Sequence, residues 1–396
     1  MNRKALVVHS RRTGLALIRA LGKKGVEVFC ADTYKAEGFF SRYTKRGIVL
    51  PELIKIGNDA LLTHFVDIAR SIDSENSKPY LFTGSDDYLM FFVKNWDVLS
   101  IYYRPSFETD LKVLKSCLEK KEMYKTAERA DVLIPKTYYS PLTANEVNSY
   151  PVIIKPSLKK TDKVDVVKSA FRIEKAYNKD ELNTYMGMLN SLNVSFVVQE
   201  YIEGGDDSLY TAGIYTHKGK LIAGCTGRKL RQYPPELGEC SFGELITEPQ
   251  LIESARRLVK EAKLTGICQV EFKKDKGKFY LMEINPRPWS WISLIDYAGI
   301  NLPYTSIECH ENFENCQSQK FLQTRDKGTW MFPVMDLKYN VLINKNISVL
   351  KFFKNLFSSN RLAFFKWSDP MPIFCHVYYA IFYEYINPYL KSRRSK

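Results

Sequence analysis

Two short runs hold the residues best suited to chemistry. Ile267-Cys-Gln-Val-Glu-Phe272 and Phe279-Tyr-Leu-Met-Glu-Ile-Asn-Pro-Arg-Pro-Trp289 set Glu271, Glu283, Asn285 and Arg287 into apolar, strand-like segments. Alternate residues of a strand share a face, so Glu283, Asn285 and Arg287 project together. The link between the runs contains Asp275-Lys276-Gly277, which predicts a three-residue hairpin loop with glycine where φ must be positive. In that register Glu271 lies opposite Leu281, and Glu283 is its diagonal neighbour on the same face. Two carboxylates and an amide oxygen then converge, with a guanidinium just beyond. Hard oxygen ligands of this kind suit Mg²⁺, which usually shares its shell with substrate phosphates and water. The same alternation would serve a half-exposed hairpin with its acids in water, so the rest of the chain has to decide.

A lysine inside a strand is unusual, because its charge must reach a partner or water. In Val152-Ile-Ile-Lys155-Pro156 the apolar neighbours hold the stem and proline ends the strand, and a phosphate oxygen is a natural partner. Phe196-Val-Val-Gln-Glu-Tyr-Ile202 predicts a strand running into Glu203-Gly-Gly-Asp-Asp207, where backbone donors and acceptors could read a purine edge. Gly227-Arg-Lys-Leu-Arg-Gln-Tyr-Pro-Pro235 reads as a basic loop whose Arg228, Lys229 and Arg231 suit a polyphosphate. None of the five histidines falls in this set, and no Ser/His or Cys/His arrangement accompanies it, so a covalent enzyme nucleophile is not expected.

The elements that must position these groups follow from periodicity. Lys4 to His9 predicts a buried parallel strand, Ser10 to Gly14 a turn, Leu15 to Gly22 a helix stopped by Gly22, and Val26 to Ala31 a second strand. This βαβ start predicts a doubly wound sheet. Its first turn has one glycine rather than GxGxxG, which argues against dinucleotide binding. Pro79 to Thr83 predicts another buried strand, ending in Gly84-Ser-Asp86-Asp87 at the sheet edge where such folds bind ligands. One of these acids is expected to cap the helix beginning at Tyr88; the other stays open. Asp110 to Ala130 reads as one charged helical stretch, 209–216 and 220–226 as a hairpin, and 250–263 as an amphipathic helix.

A chain of 396 residues is expected to form two or three domains. The eight cysteines are scattered without a CxxC pair, which predicts reduced thiols and a cytoplasmic protein. The N-terminus reads as a short basic start into a strand rather than a signal peptide, and no run approaches the roughly 20 apolar residues that span a bilayer. The formal net charge is +14, and from Lys320 onward thirteen Lys and Arg face four Asp and Glu, among many aromatic residues. A basic face over a helical core is one reading, and an anionic membrane surface is another. No nucleic-acid motif accompanies the charge, so no nucleic-acid partner is expected. The aromatic run after Pro370 is broken by His376, Glu384 and Asn387. It is expected to dock on the body with Lys391 to Lys396 in solvent. Peripheral contact at the inner face of the membrane, or with a surface-polymer precursor, is the alternative.

Taken in order, these motifs resemble the ATP-grasp superfamily, particularly its bacterial carboxylate–amine ligase-like members, over roughly residues 1 to 300. The resemblance rests on Glu119-Lys120…Ala127, Val152-Ile-Ile-Lys155-Pro156, Val198-Gln-Glu200-Tyr-Ile202-Glu-Gly-Gly-Asp-Asp207 and Leu281-Met-Glu283-Ile-Asn285-Pro-Arg287. It implies a mixed α/β and α+β chain: a doubly wound pre-ATP-grasp domain over 1–108, then a two-lobed ATP-grasp domain over 109–305. The small lobe would span 109–195 and the large lobe, with the metal hairpin, 196–305; a basic, aromatic, helical region fills 306–396. By position, Lys120 (or its neighbour Lys121) and Lys155 would hold ATP phosphates. Glu200, Tyr201 and Ile202 would frame adenine, with Asp207 near the ribose. Arg228 and Lys229 would approach the triphosphate. Glu271, Glu283 and Asn285 would bind Mg²⁺, with Mn²⁺ as a substitute, and Arg287 would stabilise an acyl phosphate.

The implied reaction joins a small-molecule carboxylate to an amine, releasing ADP and phosphate. Carboxylation, thioester formation, or a non-catalytic nucleotide-binding role in surface-polymer assembly are the alternatives. The loop Ser157 to Val164 departs from the family in lacking glycines, and Lys159, Lys160 or Lys163 could substitute for them. Substrate recognition is expected from Ser10 to Thr13, Gly84 to Asp87 and Trp289 to Trp291. The oligomeric state is not legible.

Overall fold

A computed structural model describes residues 3–72, 77–157, 173–235, 238–318 and 321–381. Lys159, Lys160 and Lys163, and the tail from residue 382 onward, lie outside the described residues. The N-terminal part is a parallel sheet of β1 (Lys4–Val8), β2 (Glu27–Asp32), β3 (Thr44–Val49), β4 (Tyr80–Thr83) and β5 (Arg104–Pro105), in the order β3-β2-β1-β4-β5. All five residues of β1 are buried, as a strand covered on both faces requires. The first helix begins at Arg12 rather than Leu15. Glycine at position 14 permits this, since a Cβ there would come within 2.3 Å of the His9 carbonyl oxygen. The residue with positive φ after this helix is Gly25, not Gly22.

The stretch expected as one helix from Asp110 to Ala130 is two, Leu111–Leu118 and Lys120–Arg129. Glu119 breaks it with extended backbone (φ −81°, ψ 116°). The Asp110 side chain caps the first piece by accepting from the Lys112 and Val113 amides. The antiparallel small-lobe sheet follows: β6 (Thr137–Tyr139), β7 (Val152–Pro156), β8 (Glu174–Ala176) and β9 (Phe196–Glu200), in the order β6-β9-β7-β8.

The large sheet runs β14-β13-β10-β11-β12, built from β10 (Leu209–His217), β11 (Lys220–Tyr233), β12 (Glu239–Ile246), β13 (Gly266–Asp275) and β14 (Lys278–Asn285). The segment read as a basic loop is the second half of β11, which stays paired with β12 through Tyr233 despite register shifts near Arg231. Three later strands extend the sheet: β15 (Phe321–Leu322) beside β11, then β16 (Thr329–Met331) and β17 (Arg361–Leu362) beyond β12. The C-terminal region is therefore not purely helical but adds strands to the large lobe.

The helix Met371–Ile381 docks on the body, as expected for its described part. His376 Nδ1 lies 2.9 Å from Glu37 Oε1, and Tyr379 donates to the Lys35 carbonyl at 3.0 Å. The expectation of wholly reduced cysteines fails at one place. Helices Leu302–Glu311 and Phe313–Ser318 meet at Asn312, which brings Cys309 and Cys316 together as a disulfide; the other six thiols are free and buried. Among the described residues, no helix is long and apolar enough to cross a membrane.

Glycines make a floor on the large sheet. A Cβ at Gly213 would lie 2.3 Å from the Trp289 ring, and one at Gly227 would lie 2.7 Å from Trp291. Strand-interior glycine of this kind marks close approach. Both tryptophans are buried on that floor, so they are packing residues rather than the open substrate contacts expected. Gly213→Val should destabilise the fold by about 1–3 kcal/mol or more through overpacking, read as a lower midpoint in urea. An unchanged midpoint would show that Trp289 can move aside.

Candidate active site

The hairpin turns on two residues, Lys276 (φ 46°) and Gly277 (φ 79°), both left-handed. Asp275 therefore faces Lys278, and Phe272 faces Leu281. The register then shifts, leaving Met282 as the extra residue of a bulge, and Glu271 stands directly opposite Glu283, with Gln269 opposite Asn285. The diagonal pairing expected from a three-residue loop is corrected: the two carboxylates are closer neighbours than the sequence suggested.

Around them the polar groups form one connected face. Lys229 Nζ lies 2.8 Å from Glu271 Oε1. Gln269 Nε2 donates to Glu271 Oε1 at 3.1 Å and to Thr211 Oγ1 at 3.3 Å. The Asn285 amide nitrogen donates to Gln269 Oε1 at 3.3 Å and sits 3.5 Å from Glu283 Oε2. Burial works against the Lys229 ammonium, but the Glu271 carboxylate more than offsets it and holds the Lys229 pKa above its ordinary value. Lys229 is therefore charged at neutral pH. Arg228, one residue earlier, points to the opposite face, where it pairs with Glu244 at 2.5 Å. The structure does not bring Arg228 to the acids; strand alternation separates the two cations that the loop reading had joined.

At the other end of the site, Lys155 is buried and donates to Tyr124 Oη at 3.0 Å. The same hydroxyl lies 3.0 Å from Gln199 Oε1 and 3.0 Å from the Met282 carbonyl. One phenol thus ties the small-lobe lysine to the bulge of the β13–β14 hairpin. Lys120 is buried four residues before Tyr124, on the same side of its helix, and its amide donates to the Ser157 carbonyl at 3.0 Å. Lys121 is exposed, with its ammonium near the Tyr139 ring, so Lys120 is the inward residue of the two.

The predicted adenine segment is more committed than expected. The Glu200 amide donates to the Lys136 carbonyl and the Tyr201 amide to that of Pro151, so these two donors are already engaged. Ile202 is buried. Asp207 is exposed, while its neighbour Asp206 is locked by the Gln232 amide and side chain at 2.7 and 2.9 Å.

The donor set fits a hard divalent cation. Glu271 and Glu283 are paired across strands, and Asn285 offers an amide oxygen two residues on. Among the described residues no group of three or more His, Cys, Asp or Glu is placed to hold a metal. This set has two acids, and substrate oxygens and water would complete its shell, as is usual for Mg²⁺.

Residues 193–327 match the family model described as "ATP-grasp in the biosynthetic pathway with Ter operon". Solved structures share the architecture over most of the chain. An N5-carboxyaminoimidazole synthetase from Staphylococcus aureus complexed with ADP is 11% identical, covering 90% of this chain and 87% of its own, with a TM-score of 0.62. An L-amino acid ligase from Bacillus licheniformis is 15% identical (78% and 74% covered, TM-score 0.55). A D-alanine–D-alanine ligase from Bacillus anthracis complexed with ATP is 16% identical (79% and 99% covered, TM-score 0.52). Over residues 193–327, about a third of its length, the chain is similar to an ATP-grasp family, and its fold is that of these solved structures.

The large sheet and the N-terminal sheet are joined at Arg287, just past the end of β14. Its guanidinium forms a two-point pair with Asp86, at 2.6 and 2.9 Å. Burial works against the Arg287 charge and Asp86 more than offsets it, so the Arg287 pKa is raised. Asp86 is thus a partner of Arg287 in the first turn of its helix, with Ser85 as the N-cap residue. A second tie lies alongside: Arg12 donates to Tyr233 Oη at 2.5 Å, pairs with Glu239 and covers the Phe332 ring at 4.7 Å. The turn expected to recognise substrate is therefore anchored to β11 and β12.

The sequence motifs leave out Gln269, Thr211 and Tyr124. Gln269 was detectable, two residues from Glu271 on the same strand face, and so was Tyr124, one helical turn after Lys120. Asp86→Ala should cost about 1–3 kcal/mol of unfolding free energy, because it takes the two-point carboxylate partner from a largely buried guanidinium that keeps only the Pro288 carbonyl as a bonded acceptor among the described contacts. The double variant with Arg287→Ala should cost less than the two single losses together in urea titrations. Simple additivity would show that the pair is not coupled.

Proposed function

We propose that this chain is an ATP- and Mg²⁺-dependent ligase that joins a small-molecule carboxylate to an amine through an acyl phosphate, releasing ADP and phosphate. The single observation that carries the reading is the directly opposed Glu271–Glu283 pair, linked through Met282 and Tyr124 to the buried Lys155. Glu271, Glu283 and Asn285 would hold Mg²⁺, or Mn²⁺ in its place, which neutralises charge on the phosphoryl group when bound. Lys155 and Lys120 would bind phosphate oxygens, and Lys229 would hold the Glu271 carboxylate in place. Glu200, Tyr201, Ile202 and Asp207 would lie along the nucleoside.

Arg287 sits where the metal hairpin meets the N-terminal sheet edge. Its two-point partner Asp86 occupies the geometry that a substrate carboxylate or an acyl phosphate would take, so binding would exchange one carboxylate for another. Positioning and electrostatics then supply the catalysis, with no covalent enzyme intermediate. The intact Glu271, Glu283, Asn285 and Arg287 set argues against a purely nucleotide-binding role, which would not need two opposed acids. Product analysis separates amide formation from carboxylation or thioester formation: an amide with one ADP per bond supports the reading, and a carboxylated or thioester product overturns it.

A further inference from the structure

Residues 337–368 carry six basic side chains and no acidic one: Lys338, Lys345, Lys351, Lys354, Arg361 and Lys366. Within this span the helix Val349–Ser358 is apolar on two adjacent faces. The inner face places Phe352 and Leu356 against Phe242, Met331 and Val341. That contact fixes the helix to β12 and β16. The outer face presents Val349, Leu350, Phe353 and Phe357, all exposed, with Leu350 and Phe357 each 83% exposed. Their spacing puts them within a single arc of about 100°. Phe353 and Phe357 stack on each other at 6.2 Å, and Lys351 and Lys354 follow around the helix. Nearby in sequence, Leu342, Ile343 and Trp367 are also exposed, Trp367 to 88%.

We propose that this outer face docks on an anionic lipid surface, with Leu350, Phe353 and Phe357 in the acyl boundary and the lysines among the headgroups. Charge selects the occupant. A second copy seated on the same patch by twofold symmetry would set lysines against their own equivalents. Anionic headgroups complement the exposed Lys345, Lys351 and Lys354, and exposed aromatic residues beside lysines suit the interface. The helix has ten residues, which lets it lie in the interface rather than cross it. The inference is independent of the proposed reaction.

Cosedimentation of the full chain with vesicles tests it, using phosphatidylcholine alone and phosphatidylcholine mixed equally with phosphatidylglycerol. Binding to the mixed vesicles is expected to be at least about tenfold stronger than to the neutral ones and to fall as salt rises. Phe353→Glu/Phe357→Glu should lose binding by at least about tenfold while thermal unfolding and nucleotide affinity stay unchanged, since the inner face is intact. Leu350→Ser/Phe357→Ser, which leaves the charge alone, should lose it as well. Absence of binding to the mixed vesicles at low salt would overturn the proposal, as would binding that both variants retain. Dimerisation in solution abolished by the same variants would assign the face to a second copy instead.

Discussion

Glu283→Ala is expected to lower Mg²⁺-supported ADP formation by at least about a hundredfold, in line with the loss of one preorganised electrostatic group from an active site. Glu283 stands opposite Glu271 with no apolar packing role of its own, in a partly exposed position. Its removal leaves Lys229 paired with Glu271 and takes away one of the two acids of the proposed metal set. The variant should melt as the parent does. A variant that folds and still makes ADP at the parental rate would remove the metal assignment.

Lys155→Met should weaken nucleotide binding by at least about tenfold, or about 1.4 kcal/mol, the scale of a charge-assisted hydrogen bond. The alternative for a strand lysine is to reach water, but Lys155 is only 6% exposed and its ammonium meets Tyr124 rather than solvent. Methionine keeps the stem packing and deletes the charge, so the fold should survive. Calorimetric titration with ATP and Mg²⁺ reads the effect; unchanged affinity would place the phosphates elsewhere.

The parts of this molecule that were legible in its sequence are those governed by short periods. The buried run of β1, the βαβ start and the alternation of Glu283 and Asn285 are period-2 and period-3.6 signals and are found where expected, whereas Arg287 lies past the end of β14 and pairs with Asp86. The register of the metal hairpin was not legible, because the two-residue turn and the bulge at Met282 are backbone choices that composition does not announce. Arg228 and Lys229 were read together in a loop. Once β11 continues past them, adjacent residues must part to opposite faces. The Asp86–Arg287 pair joins residues 201 positions apart, so only the packing of the N-terminal sheet against the large sheet could show it. The glycine floor under Trp289 and Trp291 had a visible sign in glycines at strand-interior positions, but what approaches such a glycine is a tertiary fact.

Amide ligation fixes a stoichiometry of one ADP for each bond formed. The full chain, incubated with ATP and Mg²⁺ across a matrix of small carboxylates and amines, should release ADP in quantity only when both substrates are present. Mass analysis should find one condensed amide for each ADP. Tight nucleotide binding with no ADP release from any pair, or ADP release without a condensed product, would contradict the account.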